Sequence, residues 1–277
     1  MVLGNWLRSS YSKHTLAGRK GRILAKAYRK IQKWDQWLEQ FPGRGVLAAE
    51  SQFLHHLLSQ FYGNQTLLIG TPHQYTLLKS SIMPNQLLLG PLLTHNSVKH
   101  HRSIESELHD LPIASGSLDL VLVPHILEYL DNPQQLLSEA CRIVKPEGHI
   151  IVCGFNPYSL WGIKKWFSRD TDIPWTGSFI QPSTIKKWLQ LADFKLVTQS
   201  MVLFRPPVQK ETTFKKLKFL EWLGRKCFRP FGGVYILVAQ AKVVPLTPIK
   251  LRWKQQLSGM RLPTIGVPRP TLRNSRR

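Results

Sequence analysis

Cysteine is scarce. The three present, Cys141, Cys153 and Cys227, form no CxxC pair. An odd count without paired spacing excludes a disulfide framework and a structural zinc site. The opening MVLGNWLRSSYSK lacks the apolar core of about 7–15 residues that marks a secretory signal. A reducing, cytosolic setting is therefore expected. No apolar run reaches about 18 residues, so no transmembrane helix is expected. Metal-ligand spacing of the HExxH kind is absent; His55–His56 and His100–His101 are adjacent pairs, which cannot share a helical face. There is no GxxxxGKS/T phosphate loop and no internal repeat.

Acid is scarce as well, and unevenly so. The 38 Lys and Arg against 16 Asp and Glu give a formal net charge of +22 over 277 residues. Residues 1–33 and 242–277 each carry nine basic residues and no acid, and residues 205–229 carry eight against Glu211 and Glu221. Those segments hold all of the excess, and the remainder is close to neutral. Basic appendages of this kind attract anionic partners: RNA, DNA or an anionic membrane surface, with solubility as the plainer purpose. A cytoplasmic protein, peripheral to the membrane where such contacts form, is the expected setting.

The hydrophobic fraction of 43% supports a full core. Residues 1–20 are polar and basic, and disorder is expected there. From Gly21 to Phe41 the period turns helical, with Ile23, Leu24, Ala27, Ile31, Trp34 and Leu38 spaced by threes and fours. This helix either docks on the domain or lies on a membrane; docking is the commoner use. FPGRG (41–45) breaks it, and Glu50–Phe61 reads as a second helix. Strands are expected at Leu67–Gly70, Gln86–Leu89, Leu118–Val123, Gly148–Phe155, Lys195–Thr198 and Val234–Lys242. Helices are expected at Pro133–Val144 and at Ser183–Leu191, the latter capped by Ser183. KPEGH (145–149) reads as a turn. FKKLKFLEWLGRKCF (214–228) reads as one basic amphipathic helix with Phe214, Leu217, Leu220 and Trp222 on a shared face. Continuous apolar strands separated by helices argue for a doubly wound, mostly parallel α/β sheet. In such a sheet ligands bind beyond the carboxyl ends of the strands. The organisation expected is a basic N-terminal extension over 1–40, an α/β domain over 41–245 with an insert at about 201–233, and a basic tail over 246–277.

The stretch 107–162, ELHDLPIASGSLDLVLVPHILEYLDNPQQLLSEACRIVKPEGHIIVCGFNPYSLWG, resembles the class I S-adenosylmethionine-dependent methyltransferases of the type 11 group. LPIASGSLDLV is similar to that family's loop and fourth strand, and HILEYLDNPQQLLSEACRIVKPEGHIIV to its next helices, turn and fifth strand. GFNPYSLWG, Pro174–Trp175, FRPP (204–207) and GGVYILVAQAK resemble one poorly characterised bacterial branch. The resemblance runs over about residues 41–250. It implies a Rossmann-like fold, S-adenosyl-L-methionine as cofactor, no metal, and an unspecified methyl acceptor such as an RNA or a membrane-associated small molecule.

The same resemblance distributes the site. Glu107 takes the place of the acid that receives the adenine amino group, with Leu108 offering its backbone N–H. Gly70 and Thr71 stand in the loop after the first strand. Pro124 and His125 stand at the exit of the fourth, beside the methyl donor. His125 is a candidate to take a proton from a hydroxyl nucleophile, its ordinary pKa being near neutrality, with Glu128 to orient it; a lone histidine also serves as a packing residue. Asp119 sits at the strand's entry and reads as structural. Asn156, Tyr158 and Trp161 are candidates for the substrate side, or for a lid packed on the core. FNPY (155–158) follows strand five, not strand four, and is not equated with the Asn-Pro-Pro-Tyr box of amino-methyltransferases.

Two family features are absent. The first loop, GTPHQY, keeps one glycine, and Pro72 removes a donor from it. At the end of the second strand, where an acid normally grips the ribose hydroxyls, stand Gly90 and Pro91. A catalytically inactive fold that binds a polyanion or a protein is the alternative these departures support.

Overall fold

The computed structural model describes residues 19–91, 102–167, 172–208, 210–217 and 219–242. The expected disorder over 1–20 falls almost wholly outside these, as does the C-terminal tail. Among these residues seven strands form one sheet: β1 (Gln65–Ile69), β2 (Asn85–Gly90), β3 (Arg102–Glu105), β4 (Leu118–Pro124), β5 (Val144–Phe155), β6 (Phe194–Val202) and β7 (Val234–Ala241). Their order is β3-β2-β1-β4-β5-β7-β6. β7 alone runs antiparallel, between β5 and β6. The strand order reverses between β1 and β4, so the switch point lies at the exits of those two strands.

The apolar runs make both faces core. Leu67, Ile69, Val121 and Val123 point into one hydrophobic cluster; Leu68, Leu120 and Leu122 point into the other. All are essentially inaccessible. Successive side chains alternate across a strand, so an unbroken apolar run is what a sheet covered on both sides requires.

Among the described residues seven α-helices flank the sheet: α1 (Arg19–Glu39), α2 (Gly43–Leu58), α3 (Pro133–Arg142), α4 (Leu160–Phe167), α5 (Pro182–Leu191), α6 (Glu211–Lys216) and α7 (Phe219–Cys227). α1 docks on the domain, burying Ala27, Ile31, Trp34 and Leu38. It packs against α2 and against two 3-10 turns, at Pro72–Ser80 and Ile126–Tyr129. α3 is capped by the Asn132 side chain, which accepts from Gln135 N at 3.3 Å.

Four local expectations are corrected. α2 begins at Gly43, well before Glu50, with Pro42 at the helix N-cap. Lys145–Gly148 is not a free turn; it bulges within β5, where Glu147 adopts φ 65° and the pairing with β4 slips between Leu118 and Leu120. α5 starts one residue early, with Gln181 at the cap and Pro182 at the first position, where a missing N–H is harmless. The 214–228 stretch forms two helices, and Trp222 does not share the buried face of Phe214. Glu221 takes the inward place, held by Arg205 Nε at 2.9 Å, which turns Trp222 out.

Candidate functional site at the strand exits

β4 ends at the switch point in Pro124, and the chain then turns sharply. His125 adopts φ 54°, the left-handed region, and caps the turn that carries Glu128. Its imidazole is wholly buried. Nε2 lies 2.6 Å from Glu50 Oε1, from α2, and Nδ1 lies 3.5 Å from Glu128 Oε1, an ion-pair distance too long for a good hydrogen bond. Burial pushes the imidazole pKa down, but the two carboxylates outweigh it and raise it to about 10. The ring is therefore an imidazolium at neutral pH, with both nitrogens facing acids. A general base needs a neutral, accessible nitrogen, which this arrangement does not offer. Glu128 Oε1 also accepts from Phe155 N, tying the turn to the exit of β5.

An aromatic wall stands over this group. Trp34, from α1, has its ring centroid 5.0 Å from that of His125, 5.4 Å from Tyr129 and 5.9 Å from Phe155. α1 thus roofs the exit of β4.

The loop after β1 is closed upon itself. Gly70 N donates to Leu89 O at 2.9 Å, Thr71 N to Gln74 Oε1 at 3.0 Å, His73 N to Asp35 Oδ1 at 3.1 Å and Gln74 N to Thr71 O at 3.1 Å. Pro72 has no N–H. Every backbone donor from 70 to 74 is committed. Gln74 is buried and spans the switch point, its Nε2 donating to Pro124 O at 3.0 Å. A β-carbon on Gly70 would meet Gln74 Oε1 at 2.6 Å, so a larger residue here would have to displace that side chain. The His73 ring lies 2.9 Å from Asp35 and 3.0 Å from Glu39, and the hydrogen bond to Asp35 leads in raising its pKa.

On the far side of the cleft, β2 ends in Gly90 and Pro91 follows it, both buried. Glu107, just past β3, is partly exposed, with Oε2 3.1 Å from His109 Nε2. Leu108 beside it is buried. Tyr28 of α1 comes close: its hydroxyl is raised to about 12, by burial first and then by Glu107 and Glu105. That hydroxyl is buried without a hydrogen-bond partner among the described residues.

The β5 exit is built differently from a binding wall. Asn156 is a clasp: Nδ2 donates to Pro230 O at 2.8 Å and Gly232 O at 3.0 Å, and Oδ1 accepts from Tyr158 N at 3.1 Å. Trp161 is fully buried, stacked on Phe155 at 5.3 Å, with Nε1 donating to Arg205 O. Tyr158 is exposed. Asp119, at the opposite end of the sheet, accepts from Asn64 N, Gln65 N and Lys145 Nζ at 2.8–3.0 Å.

The structure thus gathers Gly70, Thr71, Pro124, His125 and Glu128 at the switch point, with Glu107 and Leu108 past the end of β3. Glu50, Tyr28, Asp35 and Gln74 join them and were not singled out from sequence, and Trp34, expected only on the apolar face of the first helix, joins them too. The signal available for Glu50 was an acid on the apolar side of a helix, among Val46, Leu54 and Leu58.

The methyltransferase domain family matches residues 71–152. The chain is 30% identical over 152 residues to the uncharacterised protein YafS of Escherichia coli K12, covering 52% of this chain and 57% of that one. It is 26% identical over 88 residues to a malonyl-[acyl-carrier protein] O-methyltransferase of Hahella chejuensis, covering 30% of this chain and 32% of that enzyme. The chain spans just over half the length of YafS and about a third of the Hahella enzyme. A solved S-adenosylmethionine-dependent methyltransferase of Thermotoga maritima superposes with a TM-score of 0.60 at 17% identity, covering 79% of this chain and all of that one. That likeness is one of fold. The matched stretch lies on the strand exits just described, so residues 71–152 are similar to the methyltransferase domain family and the sheet around them has the fold of the Thermotoga enzyme.

Proposed function

We propose that this chain transfers a methyl group from S-adenosylmethionine to an acceptor that approaches the exits of β4 and β5. The observation that carries the reading is the partnerless Tyr28 hydroxyl, buried under α1 beside Glu107 and Glu105. A buried hydroxyl without a partner is costly, and a nucleoside edge supplies one. In this reading Glu107 and the Leu108 backbone hold the base, and Gly70 and Thr71 bound the other end. Pro124 and His125 flank the reactive centre. The cofactor supplies an electrophilic methyl on a sulfonium. The protein's part is to exclude water and to align the acceptor, which accounts for most of such a rate enhancement. His125 and Glu128 act as positioning residues: the imidazolium, pinned by Glu50, fixes the β4 turn and the peptide at Phe155. The acceptor class that suits the basic segments is an RNA or a membrane-associated small molecule.

The committed donors of the β1 loop favour a second reading, a methyltransferase fold that has given up the cofactor and binds a polyanion or a protein. The missing acid at Gly90 bears on the same point. Two hydrogen bonds to a carboxylate contribute about 3–6 kcal/mol before compensation, and that loss alone reduces affinity by orders of magnitude.

Calorimetric titration with S-adenosylmethionine and S-adenosylhomocysteine separates the two. Micromolar binding, weakened at least about tenfold in Glu107→Ala, supports transfer. No heat up to millimolar cofactor overturns it in favour of the second reading.

A further inference from the structure

α4 and α7 are inverted amphipathic helices. On α4, Leu160 and Ile163 are about half exposed, at 46% and 47%, and Trp166 and Phe167 at 85% and 80%. Its two lysines fold back instead: Lys164 Nζ donates to Pro207 O and sits over the Trp175 ring, and Lys165 Nζ donates to Gly177 O and sits over Phe179. α7 repeats the pattern. Phe219 and Trp222 are exposed, while Glu221 is buried against Arg205. The two helices face one another across an apolar cavity of about 360 Å³, lined by Leu160, Ile163, Leu220, Leu223, Phe228 and Phe231. Lys164, Lys165 and Glu221 are turned inward and aromatic surface outward, with Lys226 of α7 left exposed over the Trp222 ring, so the two helices form one apolar face that water solvates poorly.

We propose that this face docks on an anionic lipid bilayer, with the aromatic side chains lying among the headgroups. Charge selects the occupant. Residues 205–229, which supply α7, carry eight basic residues against two acids, and the chain as a whole is +22. A second copy of so basic a chain is repelled from this face, whereas anionic headgroups are drawn to it. The chemistry of the face selects further. The aliphatic side chains of this face, Leu160, Ile163, Leu220 and Leu223, suit acyl chains, whereas bases would stack only on its aromatic ones. Trp and Phe beside lysine are the residues that settle at a membrane interface. The contact is one-sided and shallow, since no helix among the described residues is long and apolar enough to cross a bilayer. The proposal is independent of methyl transfer, and no cofactor enters its test.

The test uses the full chain with sedimented vesicles of phosphatidylcholine alone and of phosphatidylcholine with 30% phosphatidylglycerol, about that fraction giving a strongly negative surface. The expected result is binding to the anionic vesicles, tryptophan quenching by brominated acyl chains, and at least about a tenfold loss of affinity in Trp166→Ser/Phe167→Ser/Trp222→Ser. These side chains are exposed, so the variant keeps its fold, checked by its thermal melt. Undiminished binding by the variant overturns the proposal, since the basic segments then bind alone. Absence of quenching, or of vesicle binding at low salt, also overturns it. A dimer abolished by the same substitutions, without vesicle binding, assigns the face to a second copy instead. An oligonucleotide affinity lost in the variant, again without vesicle binding, assigns it to nucleic acid.

Discussion

Glu50 Oε1 stands 2.6 Å from His125 Nε2, joining residues 75 positions apart in a site closed to water. One partner comes from the second helix and the other from the turn after β4. The pair fixes the switch point from behind, and its protonation makes stability depend on pH.

His125 is raised from 6.5 to about 10 on folding. Below pH 6.5 the ring is protonated in both states and the ion pairs contribute in full. As pH rises towards 10 the unfolded chain releases this proton and the folded chain keeps it, so the stabilisation declines and is lost above 10. Urea denaturation at pH 6.5, 7.5 and 8.5 is expected to show falling stability. The fall is expected to be shallower in His125→Asn, in which asparagine keeps the left-handed backbone accessible. Parallel slopes in the two proteins would contradict the assignment. The window stays below the range in which Cys141 and Tyr28, each raised to about 12, begin to contribute.

Removing one acid leaves the imidazolium without its nearest partner. Glu50→Ala is expected to cost about 3–5 kcal/mol, because an uncompensated buried charge remains. The double variant Glu50→Leu/His125→Asn is expected to recover part of that loss. A double variant no more stable than Glu50→Ala would argue against charge as the cause.

Trp34 is fully buried and touches His125, Tyr129 and Phe155. Trp34→Ala is expected to destabilise by about 3–5 kcal/mol and to loosen α1 first. Hydrogen exchange is the measurement: protection over 26–38 should fall more than protection in β4 and β5. Uniform loss would mean that α1 is not a separately opening unit.

How much of this was legible follows from the physics of each signal. The strands were readable because burial on both faces leaves an unbroken apolar run, as in LDLVLV. α1 was readable because Ala27, Ile31, Trp34 and Leu38 repeat at helical spacing, and so was Asp119, whose place at a strand entry marked it as structural. Its site partners were not readable. Tyr28 and Asp35 lie on the same helix, but that they meet Glu107 and His73 depends on how the helix lies across the sheet. Glu50 was hidden for the same reason. The inward place of Glu221 within 214–228, which leaves Trp222 outside, turns on one long-range pair, Arg205–Glu221, which no local period encodes.

Asp119 offers a control without site chemistry. It accepts from two backbone N–H groups and from Lys145, and these hold its pKa low although burial opposes them. Asp119→Ala is expected to lower stability by about 1–3 kcal/mol. Its cofactor titration is expected to match that of the unsubstituted chain. A changed affinity would tie the two ends of the sheet together.

The place of β7 governs the order in which the chain is completed. Among the described strands it is the last in sequence, yet it lies inside the sheet, and it is the only one beside β6. While the ribosome has released only the first two hundred or so residues, β5 presents an open apolar edge and β6 has nothing to pair with. Exposed edges of that kind recruit other chains. A nascent or truncated product ending before Val234 is thus a sticky half-sheet, and solubility arrives late in synthesis, with the residues of VYILVAQA.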